Sequence, residues 1–261
     1  MPPKAQLAGL ANAIEAQIVP RLVLAHGTPA SLSEDGGTWK PTAEQIADFA
    51  QVVLDKDADR AFTHIEALRS QGVPLEALFL ELLAPAARYL GELWNEDICD
   101  FTAVTVGLWR LQQVVRTLSP TFEREGVERD QGRRALLLPV PGEQHSFGLG
   151  MVIEFFRRAG WDVWAGTPSG LDELVQIVRS EWFAVVGFSI GCEAHLPGLA
   201  ATIHTLRRIS RNRSVGIMVG GAVFLEHPEY VALVGADASA LDGKHAISQA
   251  ESLLGLMTRR A

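Results

Sequence analysis

The chain has 261 residues, of which 48% are hydrophobic and 21% are charged, so it can bury a sizeable core in one large or two small domains. Its formal net charge of -8 argues against direct binding to DNA, because an acidic surface repels phosphates. With no apolar run near the roughly 20 residues that span a bilayer, no convincing secretion signal, and two cysteines (Cys99 and Cys192) outside any metal or redox spacing, we expect a cytoplasmic protein without membrane contact.

Helical periodicity dominates the N-terminal half of the chain. Residues 1–40 read as an extension, with an amphipathic helix over residues 4–19 and a polar linker over residues 33–38. Apolar residues then recur at helical spacing over residues 41–120, which predicts a small helical bundle that ends at Ser119-Pro120. The charged stretch 121–134 is the predicted linker to the next domain.

Short apolar runs alternate with helical patterns from residue 135 to the C-terminus. Continuous apolar strands between helices predict an α/β fold, a flavodoxin-like doubly wound parallel sheet with strand order 2-1-3-4-5. The predicted strands cover residues 135–138, 162–165, 184–188, 215–219 and 238–241. The predicted helices cover residues 149–159, 171–180, 197–209, 227–233 and 244–258.

The loop after the first predicted strand carries the most informative residues. Ligands of open parallel sheets bind outside the carboxyl ends of the strands, where this loop begins. His145 is placed there to ligate a group across the sheet edge, and Glu143 can accept the proton of the other ring nitrogen. Gly148 lets the next helix start close to a bulky ligand.

Small residues end the third and fourth predicted strands. Ser189 and Gly191 follow the third strand, and Gly220-Gly221 closes the fourth. A hydroxyl and paired glycines at one edge favour a slot in which a flat group lies against bare backbone. The order Glu-x-His-x-x-Gly, Ser-x-Gly, Gly-Gly resembles the cobalamin-binding domain family over the whole C-terminal half.

This resemblance implies a role for each of these residues. The benzimidazole tail of cobalamin leaves cobalt and enters the slot, and His145 becomes the lower axial cobalt ligand, supported by Glu143 where the family usually has Asp. The implied cofactor is cobalamin in its hydroxo, methyl or adenosyl form. The implied cofactor-binding residues of the C-terminal half are Glu143, His145, Ser146, Phe147, Gly148, Ser189, Gly191, Gly220 and Gly221.

The helical bundle carries a second resemblance, which covers residues 41 to the C-terminus. In cobalamin light sensors a four-helix cap covers the upper corrin face, with nine residues between a Trp and a Glu-His pair; here the residues at the matching positions are Trp94 and Val104-Thr105. The segment from residue 93 to residue 112 is similar to the photosynthesis antirepressor family (AerR and PpaA of purple bacteria). That similarity implies contact of Trp94 and Val104 with the cofactor. It also implies a partner, a redox-responsive repressor of photosynthesis genes of the CrtJ/PpsR type.

Several functions stay open on these residues. The preferred one is a light- or redox-responsive antirepressor that is not an enzyme. The alternatives are a corrinoid methyl-carrier protein for methyltransferases and a haem-binding redox sensor, since His145 can also ligate iron. His26 is a candidate upper ligand, and the basic cluster Arg207, Arg208, Arg211 and Arg213 is expected to be a solvated face rather than a DNA-binding surface.

Overall fold

The computed structural model describes residues 39–55, 57, 59–143 and 145–258. The predicted N-terminal helix, the linker over residues 33–38 and His26 lie outside these residues. The described chain forms two compact units. The sheet unit comprises Arg129–Leu149 and residues 161–258, and the helical unit comprises residues 39–128 together with Gly150–Gly160.

The sheet unit confirms the predicted doubly wound fold. Five parallel strands pair in the order β2-β1-β3-β4-β5. The strands are β1 (Asp130–Pro139), β2 (Trp161–Ala165), β3 (Val185–Ser189), β4 (Gly216–Gly220) and β5 (Ala238–Ala240). Numbering the helices in chain order through both units, those that begin in this unit are α6 (Phe147–Arg158), α7 (Leu171–Ser180), α8 (Leu196–Ile209), α9 (Ala222–Glu226), α10 (Tyr230–Leu233) and α11 (Gly243–Thr258), with a 3-10 turn at Glu193–His195.

The two faces of the sheet pack against different helices. Side chains alternate between faces along a strand, and one face packs its large apolar residues against α7 and α8 in a buried core. That core includes Leu136, Leu138, Val186, Phe188, Ile217 and Val219. The opposite face carries Gly187, Ser189, Gly216 and Gly220, and α11 lies on it, since a Cβ on Gly216 would meet Leu253 Cδ1 at 3.0 Å.

The strand register aligns the carboxyl ends of β1, β3, β4 and β5 along one edge of the sheet. Pro139 pairs with Ser189, Ser189 with Gly220, and Gly220 with Ala240. The loops after β1, β3 and β4 therefore leave the sheet side by side, and residues far apart in the chain meet at this edge.

The helical unit is built from helices that contact one another along their apolar faces. They are α1 (Ala43–Leu54), α2 (Asp59–Ser70), α3 (Leu75–Ala77), α4 (Ala84–Asn95) and α5 (Phe101–Arg124). A π-helical turn over Leu78–Leu83 joins α3 to α4, with the Ala84 amide donating to Phe79 O, because Pro85 has no N–H to continue the α-helical pattern. None of the described helices is both long and apolar enough to cross a bilayer.

Two predicted boundaries are wrong. Helix α5 does not end at Ser119-Pro120 but continues to Arg124, with Pro120 inside it. Phe122 is fully buried and stacks on Phe79 with ring centroids 4.4 Å apart, which holds the last turn despite the missing proline N–H. Strand β1 begins at Asp130 rather than at residue 135, because Arg134 extends it through ion pairs to Asp162 and Glu181.

The predicted helix over residues 227–233 is also different in the structure. Two short helices, α9 and α10, replace it, and His227 lies between them. The Pro228 ring has no N–H and cannot continue α9, so the chain restarts as α10 at Tyr230.

Candidate functional site

His145 and Glu143 form a directional pair in the loop after β1. His145 Nδ1 lies 2.6 Å from Glu143 Oε1, and the His145 amide donates to the same oxygen at 2.8 Å. The His145 side chain is 73% exposed, whereas the Glu143 side chain is only 2% exposed. The carboxylate therefore holds one ring nitrogen, and Nε2 is left for a ligand outside the protein surface.

The ionisation of Glu143 supports this arrangement. Burial raises the pKa of its carboxyl, but hydrogen bonds from the His145 and Gly191 amides and the His145 ring outweigh burial and hold the pKa below its usual value. An ionised Glu143 accepts a hydrogen bond from Nδ1–H of His145. This bond favours the tautomer that has its lone pair on Nε2. That tautomer is the one that ligates a metal through Nε2.

Gly191 lies directly against the His145 ring. A Cβ on Gly191 would meet His145 Nδ1 at 2.7 Å and Glu143 Oε1 at 3.4 Å. The Gly191 amide also donates to Glu143 Oε2. Gly191 therefore supports the imidazole and the carboxylate from the β3 loop, a role beyond the predicted lining of a slot.

The residues next to His145 are accessible. Ser146 and Gly148 are exposed, and Phe147 is half-buried as the first residue of α6. A Cβ on Gly148 would have no neighbour within 4 Å. Gly148 therefore has open space beside it in the first turn of α6, and its role beside a bulky ligand stays a prediction.

Ser189 and Gly220 are neighbours on the small-residue face of the sheet, whereas Gly221 has a different environment. Ser189 and Gly220 are paired across β3 and β4. Gly221 has a φ of 111°, and a Cβ there would meet Ile190 O at 1.9 Å. Gly221 therefore allows the loops after β3 and β4 to touch through their backbones.

Gly187, which was not among the predicted site residues, lies on the same face as Ser189, two residues earlier. A Cβ on Gly187 would meet Leu137 Cδ2 at 2.7 Å. The Leu137 side chain therefore fills the space beside Gly187, whereas a Cβ on Gly220 would meet only Ala240 O at 3.9 Å, so the part of this face with little side-chain bulk lies at Ser189 and Gly220. The period of two in the strand Val-Val-Gly-Phe-Ser would have placed Gly187 on the face of Ser189.

A cavity beside the same loop is a different place from the predicted slot. It lies on the large-residue side of the loop, toward α7 and α8, and Glu143 is part of its wall. Ser189, Gly191, Gly220 and Gly221 do not line it. Its other lining residues are mostly apolar and include Pro139, Val140, Leu171, Leu174 and Phe188.

In the helical unit, Trp94 and Val104 differ in accessibility. Trp94 is 46% exposed and makes an edge contact with Phe101 at 6.3 Å between centroids. Val104 is 6% exposed, in the buried row of α5, and offers little surface to a ligand. Phe101, 68% exposed, is a neighbour of Trp94 that the sequence analysis did not single out.

Three of the four arginines predicted as a basic cluster bind to groups of the sheet unit itself. Arg207 pairs with the buried Asp237 at 2.9 Å, Arg211 donates to Ser180 O, and Arg213 donates to Arg208 O. In the described part of the chain no group of three or more His, Cys, Asp or Glu side chains is arranged to hold a metal ion. The exposed His145 is a single donor, which fits a metal that a macrocycle already holds.

Comparison with known proteins identifies the sheet unit. Residues 133–251 match the family described as the B12 binding domain. This part of the chain is a B12-binding domain. The predicted cobalamin-binding family is confirmed for it, and Glu143, His145, Ser189 and Gly220 all fall within the B12-binding domain.

Two known proteins resemble a longer part of the chain. An uncharacterized 20.5 kDa protein of the bchF-crtJ intergenic region of Rhodobacter capsulatus is 28% identical over 184 residues, which cover 70% of this chain and 95% of that protein. The structure of the monomethylamine corrinoid protein of Methanosarcina barkeri is 16% identical, covers 83% of this chain and 100% of that one, and superposes with a TM-score of 0.67. The structural likeness shows that the two chains share a fold.

Proposed function

We propose that this protein is a cobalamin-binding, light- or redox-responsive regulator of transcription, without enzymatic activity, that acts as an antirepressor. His145 is its lower axial cobalt ligand, and a repressor of the CrtJ/PpsR type is its partner. The observation that carries the cofactor assignment is the exposed His145 ring whose Nδ1 is held 2.6 Å from a buried carboxylate. Bound cobalamin would supply a cobalt centre whose upper ligand is exchangeable and sensitive to light or redox state.

The residues around His145 fit a large planar cofactor. The ring is fixed from behind by Glu143 and from one side by Gly191, so it presents Nε2 with little freedom of tautomer. The small residues Ser189 and Gly220 at the carboxyl edge leave room for a flat tail with little side-chain bulk. These are features of the chain's own residues, and they support cobalamin over a cofactor bound by a phosphate loop, which the β1 loop does not form.

The regulatory part of the proposal is supported by the relative in Rhodobacter capsulatus. That relative is a protein of the bchF-crtJ intergenic region, and the resemblance of this sequence to the antirepressor family implies a CrtJ-type repressor as partner. An antirepressor needs two states that differ in affinity for the repressor, since a ligand shifts an equilibrium only by its differential affinity. We infer that the two states are the dark and illuminated, or oxidised and reduced, forms of the cobalamin complex.

The cofactor assignment is tested by titration with hydroxocobalamin followed by ultraviolet-visible absorbance. The wild-type protein is expected to bind with a spectral shift from histidine ligation, and His145→Ala is expected to lose that shift. The control is His195→Ala, a histidine of the neighbouring β3 loop, which is expected to behave as wild type. A wild-type spectrum and affinity in His145→Ala would refute the assignment.

The partner assignment is tested by a pull-down of the cobalamin-loaded protein with a purified CrtJ-type repressor, in darkness and after green light. Binding is expected to differ between the two conditions and to be lost in His145→Ala. Equal binding in all samples would refute a cofactor-controlled antirepressor. Transfer of a methyl group from methylcobalamin on this protein to a thiol or amine would instead show a methyl carrier.

A further inference from the structure

The cavity beside the β1 loop lies between that loop and the loop that joins β2 to α7, and we call it the β1-loop cavity. Its volume is about 130 Å³. Of the residues assigned to cobalamin above, only Glu143 lines it. Its floor is formed by side chains that are at most 5% exposed, namely Leu138, Val140, Leu174 and Phe188. The β1-loop cavity therefore offers a buried apolar surface that the proposed function does not use.

The wall on the side of the β1 loop is held in place by its own backbone. Pro139 and Pro141 each fix one φ angle of this loop. The Val140 amide between them donates to Ser189 O at 3.2 Å, and the Glu143 amide donates to Val140 O at 3.0 Å. These bonds keep the loop away from α7 without any ligand, so the cavity is preformed.

The opposite wall is the start of helix α7. The Ser169 amide and hydroxyl both donate to Glu173 Oε2 at 2.7 Å, which fixes the turn that leads into this helix. Gly170 lines the cavity, and the exposed residues Thr167 and Leu171 border it on the solvent side. A molecule can therefore enter from solvent between the two loops and reach the apolar floor.

The charges of the lining favour an uncharged ligand. Among the residues that line the cavity, Glu143 is the only one with an ionisable side chain, and its carboxylate repels an anion. Both of its oxygens already accept hydrogen bonds, from His145 and from Gly191. A cation would have to leave water for walls that are mostly apolar, which costs free energy.

The volume limits the size of the ligand. An apolar cavity of about 150 Å³ stays dry and binds benzene, because a water molecule there lacks the two to four polar partners that it needs. A cavity of about 130 Å³ therefore holds a molecule of about six non-hydrogen atoms. It is too small for drug-sized ligands, whose pockets measure about 300–1,000 Å³.

We propose that the β1-loop cavity is a second binding site of this protein, for a small uncharged apolar molecule no larger than a benzene ring. Burial of apolar ligand surface against Leu138, Leu174 and Phe188 supplies the binding free energy. This site goes beyond the proposed function and does not depend on it.

The experiment is a titration of the full-length protein with benzene, followed by nuclear magnetic resonance of labelled leucine and valine methyl groups. Saturable shifts are expected at Leu138, Val140 and Leu174, and no shift at Leu253, which packs on the other face of the sheet. Sodium benzoate carries the same ring with a carboxylate and is expected to cause no such shifts. Benzene shifts that do not saturate, shifts of equal size at Leu253, or equal binding of benzoate would overturn the proposal.

Two variants fill the cavity from different walls. Gly170 has an extended backbone, and a Cβ there would meet no atom within 4 Å, so Gly170→Leu adds apolar atoms without strain. The Thr202 hydroxyl bonds only within its own helix, to Gly198 O, so Thr202→Leu leaves no other side chain without its partner. Each variant is expected to weaken benzene binding by about 10-fold or more, because the added carbons take the space of the ligand.

Gly255→Leu in α11 is the matched control for these variants. Gly255 is exposed, lies outside the cavity, and a Cβ there would also meet no atom within 4 Å, so wild-type benzene affinity is expected. Urea unfolding of the same preparations shows that each variant is folded. Wild-type benzene affinity in both Gly170→Leu and Thr202→Leu would place the benzene elsewhere and overturn the proposal.

The outcome separates this inference from the proposed function, since benzene is titrated into protein that holds no cobalamin. Loss of benzene binding together with normal His145-dependent binding of hydroxocobalamin contradicts the second site alone. Saturable benzene binding by a protein that does not bind hydroxocobalamin contradicts the cofactor assignment alone.

Discussion

Replacement of Gly191 by alanine disturbs the support of the His145 ring, because the added Cβ would crowd both Nδ1 and Cγ of the ring. The added Cβ would lie 2.7 Å from His145 Nδ1, where ordinary contacts begin at 3.4 Å, so the ring has to move by about 0.7 Å. Gly191 does not have a positive φ, so alanine adds no backbone strain there. The change therefore acts on the ring and leaves the loop backbone able to keep its conformation.

The expected effect on the affinity for hydroxocobalamin follows from the hydrogen bond between the His145 ring and Glu143. His145 Nδ1 lies 2.6 Å from Glu143 Oε1, and Glu143 cannot follow the ring because its other oxygen is bound to the Gly191 amide. Loss of a carboxylate partner behind a ligating histidine costs about 10-fold to 100-fold in metal affinity. We expect hydroxocobalamin to bind Gly191→Ala about 10-fold to 100-fold more weakly than wild type.

The stability of the folded protein is expected to be nearly the same in Gly191→Ala as in wild type. The His145 side chain is 73% exposed and can swing into solvent, so the free energy of unfolding should change by less than about 0.5 kcal/mol. Absorbance titration gives the affinity, and urea unfolding gives the stability of the same preparations. Gly198→Ala in helix α8 is the control, because a Cβ there meets no atom within 4 Å, and it should keep wild-type affinity.

A double-mutant cycle decides whether the effect passes through the histidine. In a His145→Ala background, Gly191→Ala should cause no further loss of affinity. Wild-type affinity of Gly191→Ala with unchanged stability would show that the ring does not lie against Gly191 when the cofactor binds, and would refute this description of the site.

Three further predictions concern other parts of the structure. The pKa of Glu143 in the folded state lies below 4.5, so its carboxylate stabilises the fold above about pH 4.5, and this stabilisation is lost as the pH falls through the lowered pKa. Glu143→Gln should therefore unfold at a lower urea concentration than wild type at pH 7. The difference between the two urea midpoints should narrow towards pH 3. Trp94→Phe should alter the light-dependent spectral change of the cobalamin-loaded protein, whereas Trp109→Phe, a 53% exposed tryptophan of the same unit, should not; equal photochemistry in both would remove Trp94 from the cofactor-binding residues. Gly221→Ala should destabilise the fold by about 1–3 kcal/mol in urea unfolding. The φ of Gly221 is 111°, and the Cβ of an alanine there would lie 1.9 Å from Ile190 O. Wild-type stability of this variant would show that the loops after β3 and β4 do not touch there.

The sequence predicted the sheet unit well because its strands are apolar and its helices amphipathic. All five strands, their parallel order and the loop that carries His145 follow from that alternation and from the rule that ligands bind at carboxyl ends. The charged start of β1 was missed because Arg134 is held by ion pairs from two other elements, which no local pattern reveals. The end of α5 was missed for a similar reason, since a distant ring, Phe79, stabilises the turn after Pro120.

The site was predictable as a set of residue types but only partly as an arrangement. The spacing of Glu143 and His145 in one loop predicted their contact, which the structure contains. The contact of Gly191 with both of them depends on the distance between two loops 48 residues apart in the chain, which is set by the pairing of β1 with β3. The predicted strand order placed both loops at one edge of the sheet, but the individual contact of Gly191 with Glu143 and His145 depends on the strand register, which the sequence alone does not give.

Glu143 joins the two loops because its side chain makes contacts in both directions. Oε1 accepts from the His145 ring and amide in its own loop, and Oε2 accepts from Gly191 in the β3 loop. A carboxylate with both oxygens occupied in this way cannot change its contact with the ring without also changing its contact with the β3 loop. The hydrogen bonds of Glu143 therefore couple the orientation of the His145 ring to the position of the β3 loop, so we expect a displacement of the ring to change the contact between Glu143 and Gly191.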